Sequence, residues 1–178
     1  EQRAEPGNGQ LAFEFNKKIR EIKTYLSDKK IPHVTSASDV DEAVKGKTFV
    51  VLSSEGADFL EGKLEDLAKA HAIGLRHLQL VHYIRNPVGD LQTIAPRFGG
   101  LTALGKSLVA ECNRLGILID LAHSDDSPIA NAYVRNEGLG SGTVDDGATF
   151  DECVQHVHSA FSPSLTTIAL LTTSSSRI

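Results

Sequence analysis

The chain has 178 residues, 40% of them apolar and 23% charged, a composition that suits one soluble globular domain with a hydrophobic core and excludes fibrous or low-complexity classes. Its formal net charge is -5 and its 18 Lys and Arg are scattered, so no basic surface would gather phosphate backbones and nucleic acid is not expected as a partner. No apolar run reaches the roughly 20 residues of a transmembrane segment, and no basic start followed by an apolar stretch marks a signal peptide, so a soluble protein of unspecified compartment is expected.

Residues 1–10 are polar and Gly-containing and read as a disordered or linker arm, 11–172 as a single α/β domain, and 173–178 as a polar tail. Leu11, Phe15, Ile19, Ile22 and Leu26 recur at spacings of three and four, which predicts a helix packed by one face. Residues 31–35 read as a short strand. Ser38, followed by Asp39, Asp41 and Glu42, reads as a helix start whose acids favour the positive end of the dipole, with Gly46 ending that helix.

Residues 48–53 (TFVVLS) are β-branched and apolar without alternation, the pattern of a strand covered on both faces, and Glu55 follows them. A helix is expected over 62–73, closed by Gly74, then a strand over 75–82 (LRHLQLVH) that ends on His82. Residues 83–100 hold Asn86-Pro87, Gly89, Pro96 and Gly99-Gly100 and predict a long loop, of the kind that is usually functional inside a compact domain. Thr102 is the expected cap of a helix with Leu104, Leu108, Cys112 and Leu115 on one face, ended by Gly116. A buried strand over 117–121 (ILIDL) then delivers His123.

Further on, 127–134 reads as a short helix and 136–147 as Gly-rich without a clear element. Thr149-x-x-Glu152 is a capping box opening a helix to about Phe161, and 165–171 is a last apolar strand. Cys112 and Cys153 are far apart, lack a CxxC partner, and are expected to be buried thiols.

Glu55, His82 and His123 each close an apolar run, and the carboxyl ends of parallel strands are where ligands and catalytic groups gather. Imidazole and carboxylate are zinc ligands, and a bridging carboxylate can hold two metals. Any one of the three alone is more simply a hydrogen-bonded core or surface residue; three in register argue for a shared site. His156 and His158 lie two apart on a helix and cannot chelate one ion together. His33, His71 and His77 are expected to be structural, Asp120 to accept hydrogen bonds or to support His123, and Arg76 and Arg85 either to bind a carboxylate or to be salt-bridged.

Four runs carry a family resemblance: Ser54-Glu55-Gly56; Gly74-Leu75-Arg76-His77-Leu78-Gln79-Leu80-Val81-His82, with Asn86 just after; Gly100-Leu101-Thr102-Ala103-Leu104-Gly105-Lys106; and the run from Asn113 to Ser124, NRLGILIDLAHS. In order and spacing the chain resembles the membrane (renal) dipeptidase family of zinc peptidases. The likeness is clear over 49–125 and looser beyond Asp126. It implies a (β/α)8 barrel of the TIM type with two zinc ions that hydrolyses dipeptides through a metal-bridged hydroxide. By position, Glu55 resembles the carboxylate that bridges the metals, His82 the histidine that contacts substrate and stabilises the tetrahedral intermediate, and His123 a zinc ligand.

The departures from the family are also informative. The family's first strand supplies a His-x-Asp pair, and none precedes Glu55; a further zinc-binding histidine should follow His123, and none occurs between Ser124 and Gln155; Asp-Phe-Asp-Gly is absent. A barrel of this type needs about 250 residues. The expectation is therefore a partial barrel, from a truncated relative or a piece of a longer chain, with weak or no dipeptidase activity by itself and open strand edges that favour a homo-oligomer. The alternatives are a non-catalytic α/β binding module derived from that family and, ranked last, another metal-dependent hydrolase on the same barrel.

Overall fold

The computed structural model describes residues 7–124 and 168–174. Helix α1 (Gln10–Asp28) and helix α2 (Ala37–Val44) precede strand β1 (Phe49–Glu55), a 3-10 turn at Asp58–Leu60 and helix α3 (Asp66–Ala72). Strand β2 (Leu75–Gln79), helix α4 (Ala103–Leu115), strand β3 (Leu118–Asp120) and strand β4 (Ile168–Ser174) follow. The strands form one parallel sheet in the order β3-β2-β1-β4, so β1 and β2 are its inner strands. Parallel neighbours need crossovers, and α3 and α4 supply them between β1, β2 and β3.

Helix α1 buries Leu11, Phe15, Ile19 and Leu26, the stripe its spacing predicts. Phe15 stacks on Phe59 of the 3-10 turn with ring centroids 3.9 Å apart. The Glu61 carboxylate accepts from the Gly9 and Leu11 amides at 2.8 and 3.2 Å, meeting two amide donors that a helix start leaves without partners. The main core joins that helix to Leu67 and Ala70 of α3, Leu75 and Leu78 of β2, Leu108, Val109 and Cys112 of α4, and Ile119 of β3. The Cys112 thiol is fully buried, and burial pushes its pKa up to about 12, so it is an inert core group.

The register between β1 and β2 decides which side chains share a face. Leu52 pairs with Leu75 and Ser53 with His77, leaving Arg76 as an extra, bulged residue. Leu75 therefore turns with Leu52 into the apolar core, and His77 turns with Ser53 to the other face, where Ser53 Oγ and His77 Nδ1 are 2.6 Å apart. Without the bulge, alternation would place Leu75, His77 and Gln79 on one face. The Arg76 guanidinium is spent on carbonyls, donating to those of Thr35, His71 and Leu75, and among the described residues it binds no carboxylate.

Several boundaries differ from the sequence reading. The helix expected over 62–73 forms only from Asp66, after a 3-10 turn and the left-handed Glu61 and Gly62. Helix α2 is capped by Ser36 through a capping box with Asp39, rather than by Ser38. Residues 31–35 make a single parallel bridge, His33 to Val50, instead of a strand. The strand expected to reach His82 stops at Gln79. Strand β3 is not fully buried: its residues run exposed, buried and half-buried, with Leu118 36% exposed. The last strand lies at 168–174, displaced from the expected 165–171 and extending into the expected tail. The helices read at 127–134 and 149–161, with Cys153, His156 and His158, lie outside the described residues.

Helix α4 begins as expected, with Thr102 Oγ1 accepting from the Gly105 amide at 3.1 Å, and ends on the left-handed Gly116. Gly105 is fitted by close approach: a Cβ there would collide with the Val88 carbonyl oxygen and stand 2.8 Å from Leu101 Cδ2. The helix is thereby seated directly on the loop that follows β2. Among the described residues no helix is long and apolar enough to cross a membrane.

Candidate functional site

The site forms where β1, β2 and β3 end on the same edge of the sheet. Glu55 is the last residue of β1, His82 lies three residues past β2, and His123 three past β3. His82 Nε2 stands 3.8 Å from Glu55 Oε2. The His82 and His123 rings meet edge to face with centroids 4.7 Å apart. The structure thus brings together all three residues singled out from the sequence.

The turn after Glu55 closes tightly on Asp58 because the next residue is glycine. Gly56 has φ 92, and a Cβ there would collide with the Asp58 carboxylate and lie 3.4 Å from His82 Cβ. Asp58 is buried and accepts from Asn86 Nδ2 at 3.0 Å; the same amide group donates to the Leu80 carbonyl at 3.1 Å, and Asn86 Oδ1 accepts from the Val88 amide at 2.9 Å. Asn86 therefore ties the turn after β1 and the exit of β2 to the loop beyond His82. Burial raises the Asp58 pKa to about 6, against the opposing hydrogen bond from Asn86.

The loop over 83–100 is well built despite its lack of period. Asp90 is buried and accepts the amides of Arg97, Phe98 and Gly100 at 2.6 to 3.1 Å. Burial pushes its pKa upward, but these amides and that of Gly99 win and hold the carboxyl below its ordinary value. Leu91 bridges to Ser124, and the Gln92 amide donates to the His123 carbonyl at 3.0 Å, so the loop clasps the β3 exit as well.

His123 itself has φ 66, a left-handed backbone that a non-glycine residue adopts at a cost of about 1–2 kcal/mol. Its Nδ1 is buried without a hydrogen-bond partner among the described residues. A strained backbone and an orphaned ring nitrogen on one residue are what a ligand position would show, since buried polar atoms are otherwise satisfied. His82 is buried too; desolvation lowers its pKa, with Glu55 pulling upward, His123 downward and Asp120 upward. It is therefore neutral near pH 7, able to donate or accept a proton. Asp120 accepts the Ala122 amide at 2.8 Å and the Gln79 side chain at 3.4 Å, and stands 3.9 Å from His77 Nε2; it serves as an acceptor, as expected.

Glu55 and His123 are chemically suited to hold a divalent metal, and the orphaned Nδ1 of His123 fits that use. The set is incomplete, however: among the described residues no three His, Cys, Asp or Glu side chains converge closely enough to hold an ion. The one His-x-Asp in the chain, His123-Ser124-Asp125, follows β3 instead of preceding Glu55, and its Asp125 lies outside the described residues.

A sequence model of the membrane dipeptidase family, peptidase family M19, matches residues 10–133, a stretch that contains Glu55, His82 and His123. The chain belongs to the membrane dipeptidase family. This is a family of metallopeptidases. Dipeptidase aclJ of Aspergillus oryzae is 35% identical over 80 residues, 44% of this chain and 19% of that protein. Among solved structures, an amidohydrolase from Pseudomonas aeruginosa superposes with a TM-score of 0.59 at 26% identity, over 66% of this chain and 36% of that one. A metallo peptidase from Rhodobacter sphaeroides, liganded with a phosphinate mimic of the dipeptide L-Ala-D-Ala, superposes with a TM-score of 0.50 at 31% identity, over 59% of this chain and 31% of that one. The matched part of the chain spans only about a fifth of that curated relative's length and about a third of these structures.

Sequence reasoning missed Asp58 and Tyr83. Asp58 had a signal, a lone acid within the apolar stretch Ala57-Asp58-Phe59-Leu60. Tyr83 had none beyond its place after His82, because its ring contacts depend on the loop path.

Proposed function

We propose that the site is the substrate end of a zinc-dependent dipeptidase, built on part of a (β/α)8 barrel. The observation that carries this reading is the convergence of Glu55, His82 and His123 at the carboxyl ends of three consecutive parallel strands. Family membership and the phosphinate dipeptide mimic bound by one similar structure support it. The neighbouring order of β1, β2 and β3, with a helix before each return to the sheet, supports the barrel.

In this reading Glu55 and His123 are metal donors, and the bound ion would supply a Lewis acid that lowers the pKa of water. The chain's own part is positioning. Neutral His82, held 3.8 Å from Glu55, donates a hydrogen bond to the scissile carbonyl oxygen as negative charge develops there. The Asn86 anchor and the loop over 83–100 fix that ring before substrate arrives. Because the described donors do not complete a metal set, the chain by itself turns dipeptides over slowly.

The test is hydrolysis of a small dipeptide panel with and without zinc. Zinc-dependent turnover, lost in Glu55→Gln, supports the reading; turnover indifferent to zinc and to Glu55 contradicts it. A second reading, a binding module of the same descent without catalysis, is favoured by the incomplete donor set. Dipeptide binding without any turnover would select it.

A further inference from the structure

We propose that Tyr83 is the wall against which this site receives a substrate side chain, and that the site therefore prefers dipeptides carrying an aromatic residue. The inference rests on the dipeptidase reading above and names the substrate class of that same site. Tyr83 is 58% exposed, although it sits directly after His82, which is only 7% exposed. Its ring lies 4.0 Å from the His82 ring, tilted by 42°, and meets the His123 ring at 5.1 Å and 63°. The tyrosine ring thus packs against both imidazoles of the site and leaves the rest of its surface to solvent.

The core does not account for that placement, since Tyr83 belongs to none of the buried apolar clusters. A large exposed ring would ordinarily sample several rotamers, and fixing it costs entropy. Here the cost is met by the two histidine rings and by the backbone on either side. His82 is buried before it, and three residues later Asn86 is hooked to Asp58, Leu80 and Val88. A preorganised aromatic surface loses little further freedom when something stacks on it.

The chemistry of the wall sets what it selects. An exposed phenol ring offers an apolar π-face with a polar tip at its edge, which favours offset or edge contact with another aromatic ring over contact with a methyl group. Substrate bound with its carbonyl at His82 would extend a neighbouring side chain past Tyr83. A phenylalanyl side chain can cover the ring; an alanyl one cannot.

The experiment is calorimetric titration of the zinc-equilibrated full chain with Ala-Ala, Ala-Leu, Ala-Phe and Phe-Ala, for the unaltered protein, Tyr83→Phe and Tyr83→Ala. Binding is the readout, so turnover is not required. One of the two phenylalanyl dipeptides should bind about fivefold more tightly than Ala-Ala, the scale of one aromatic pair. Tyr83→Ala should erase that ratio by weakening the phenylalanyl dipeptide more than Ala-Ala, and Tyr83→Phe should keep it. A ratio that survives Tyr83→Ala, or one lost in Tyr83→Phe as well, overturns the proposal. Equal weakening of all four dipeptides in Tyr83→Ala overturns it too. If no dipeptide binds the unaltered protein, the dipeptidase reading fails and takes this inference with it. Far-UV circular dichroism and the urea midpoint should be unchanged in Tyr83→Ala; a collapse would show the ring to be a core element and contradict the proposal.

Discussion

His82 Nε2 and Glu55 Oε2 stand 3.8 Å apart although 26 residues lie between them in sequence, because β1 and β2 are parallel neighbours and both residues lie at the carboxyl ends. At that separation the pair is close enough to share a ligand and too far for a direct hydrogen bond. Their roles should therefore separate experimentally. His82→Ala is expected to leave zinc retention unchanged and to weaken binding of a phosphinate dipeptide mimic by about tenfold or more, the loss of one hydrogen bond to a charged group. Glu55→Gln should reduce zinc retention itself. Calorimetry with the mimic and metal analysis of both variants check this; loss of zinc in His82→Ala would reassign that residue as a ligand.

Asn86 makes three buried hydrogen bonds, to Asp58, Leu80 and Val88. Asn86→Ala leaves those three groups without it and opens a small void, so a destabilisation of about 3 kcal/mol is expected in urea unfolding. A change below about 1 kcal/mol would show that water replaces the side chain and that the loop is not hung on it.

Asp58 makes stability depend on pH in an unusual direction for a carboxylate. Its pKa is about 6 in the folded chain against an ordinary value of 3.8, so between those values the folded state binds the extra proton. Stability should rise as pH falls from about 6 to about 4 and be lost again as pH rises through 6, by at most about 3 kcal/mol from this group. The urea midpoint followed across that range measures it, and Asp58→Asn should flatten this contribution.

Gly105 sets helix propensity against packing. Alanine gains about 1 kcal/mol over glycine in a helix interior, but here its Cβ would collide with the Val88 carbonyl oxygen. Pushing α4 off the loop costs about 1–3 kcal/mol, so Gly105→Ala should lower the urea midpoint. A raised midpoint would mean that the contact relaxes freely.

The parts of the fold that were legible in the sequence are those where one local rule dominates. The α1 stripe, the apolar run of β1 and the Thr102 cap of α4 each follow from spacing or capping alone, and Glu55, His82 and His123 stood out because each closes an apolar run. The rest depended on contacts between distant segments. The bulge at Arg76 is fixed by a register that no single strand encodes, and the truncation of the expected 62–73 helix follows from Glu61 turning left-handed to cap α1, some fifty residues away. Likewise the strand read through His82 stops at Gln79, since past it the chain bends so that the Leu80 carbonyl can meet Ala57 and Asn86.

The central claim is that Glu55 and His123 serve as metal donors in a site made by the strand ends. Its most direct test is zinc content per chain after equilibration with zinc and desalting, compared between the unaltered protein and His123→Ala. Retention of at least one zinc ion per chain, falling sharply in His123→Ala while the circular dichroism is unchanged, is the predicted result. Retention that is negligible in both proteins, or equal in both, would contradict the claim and leave the convergence of these side chains as a feature of descent.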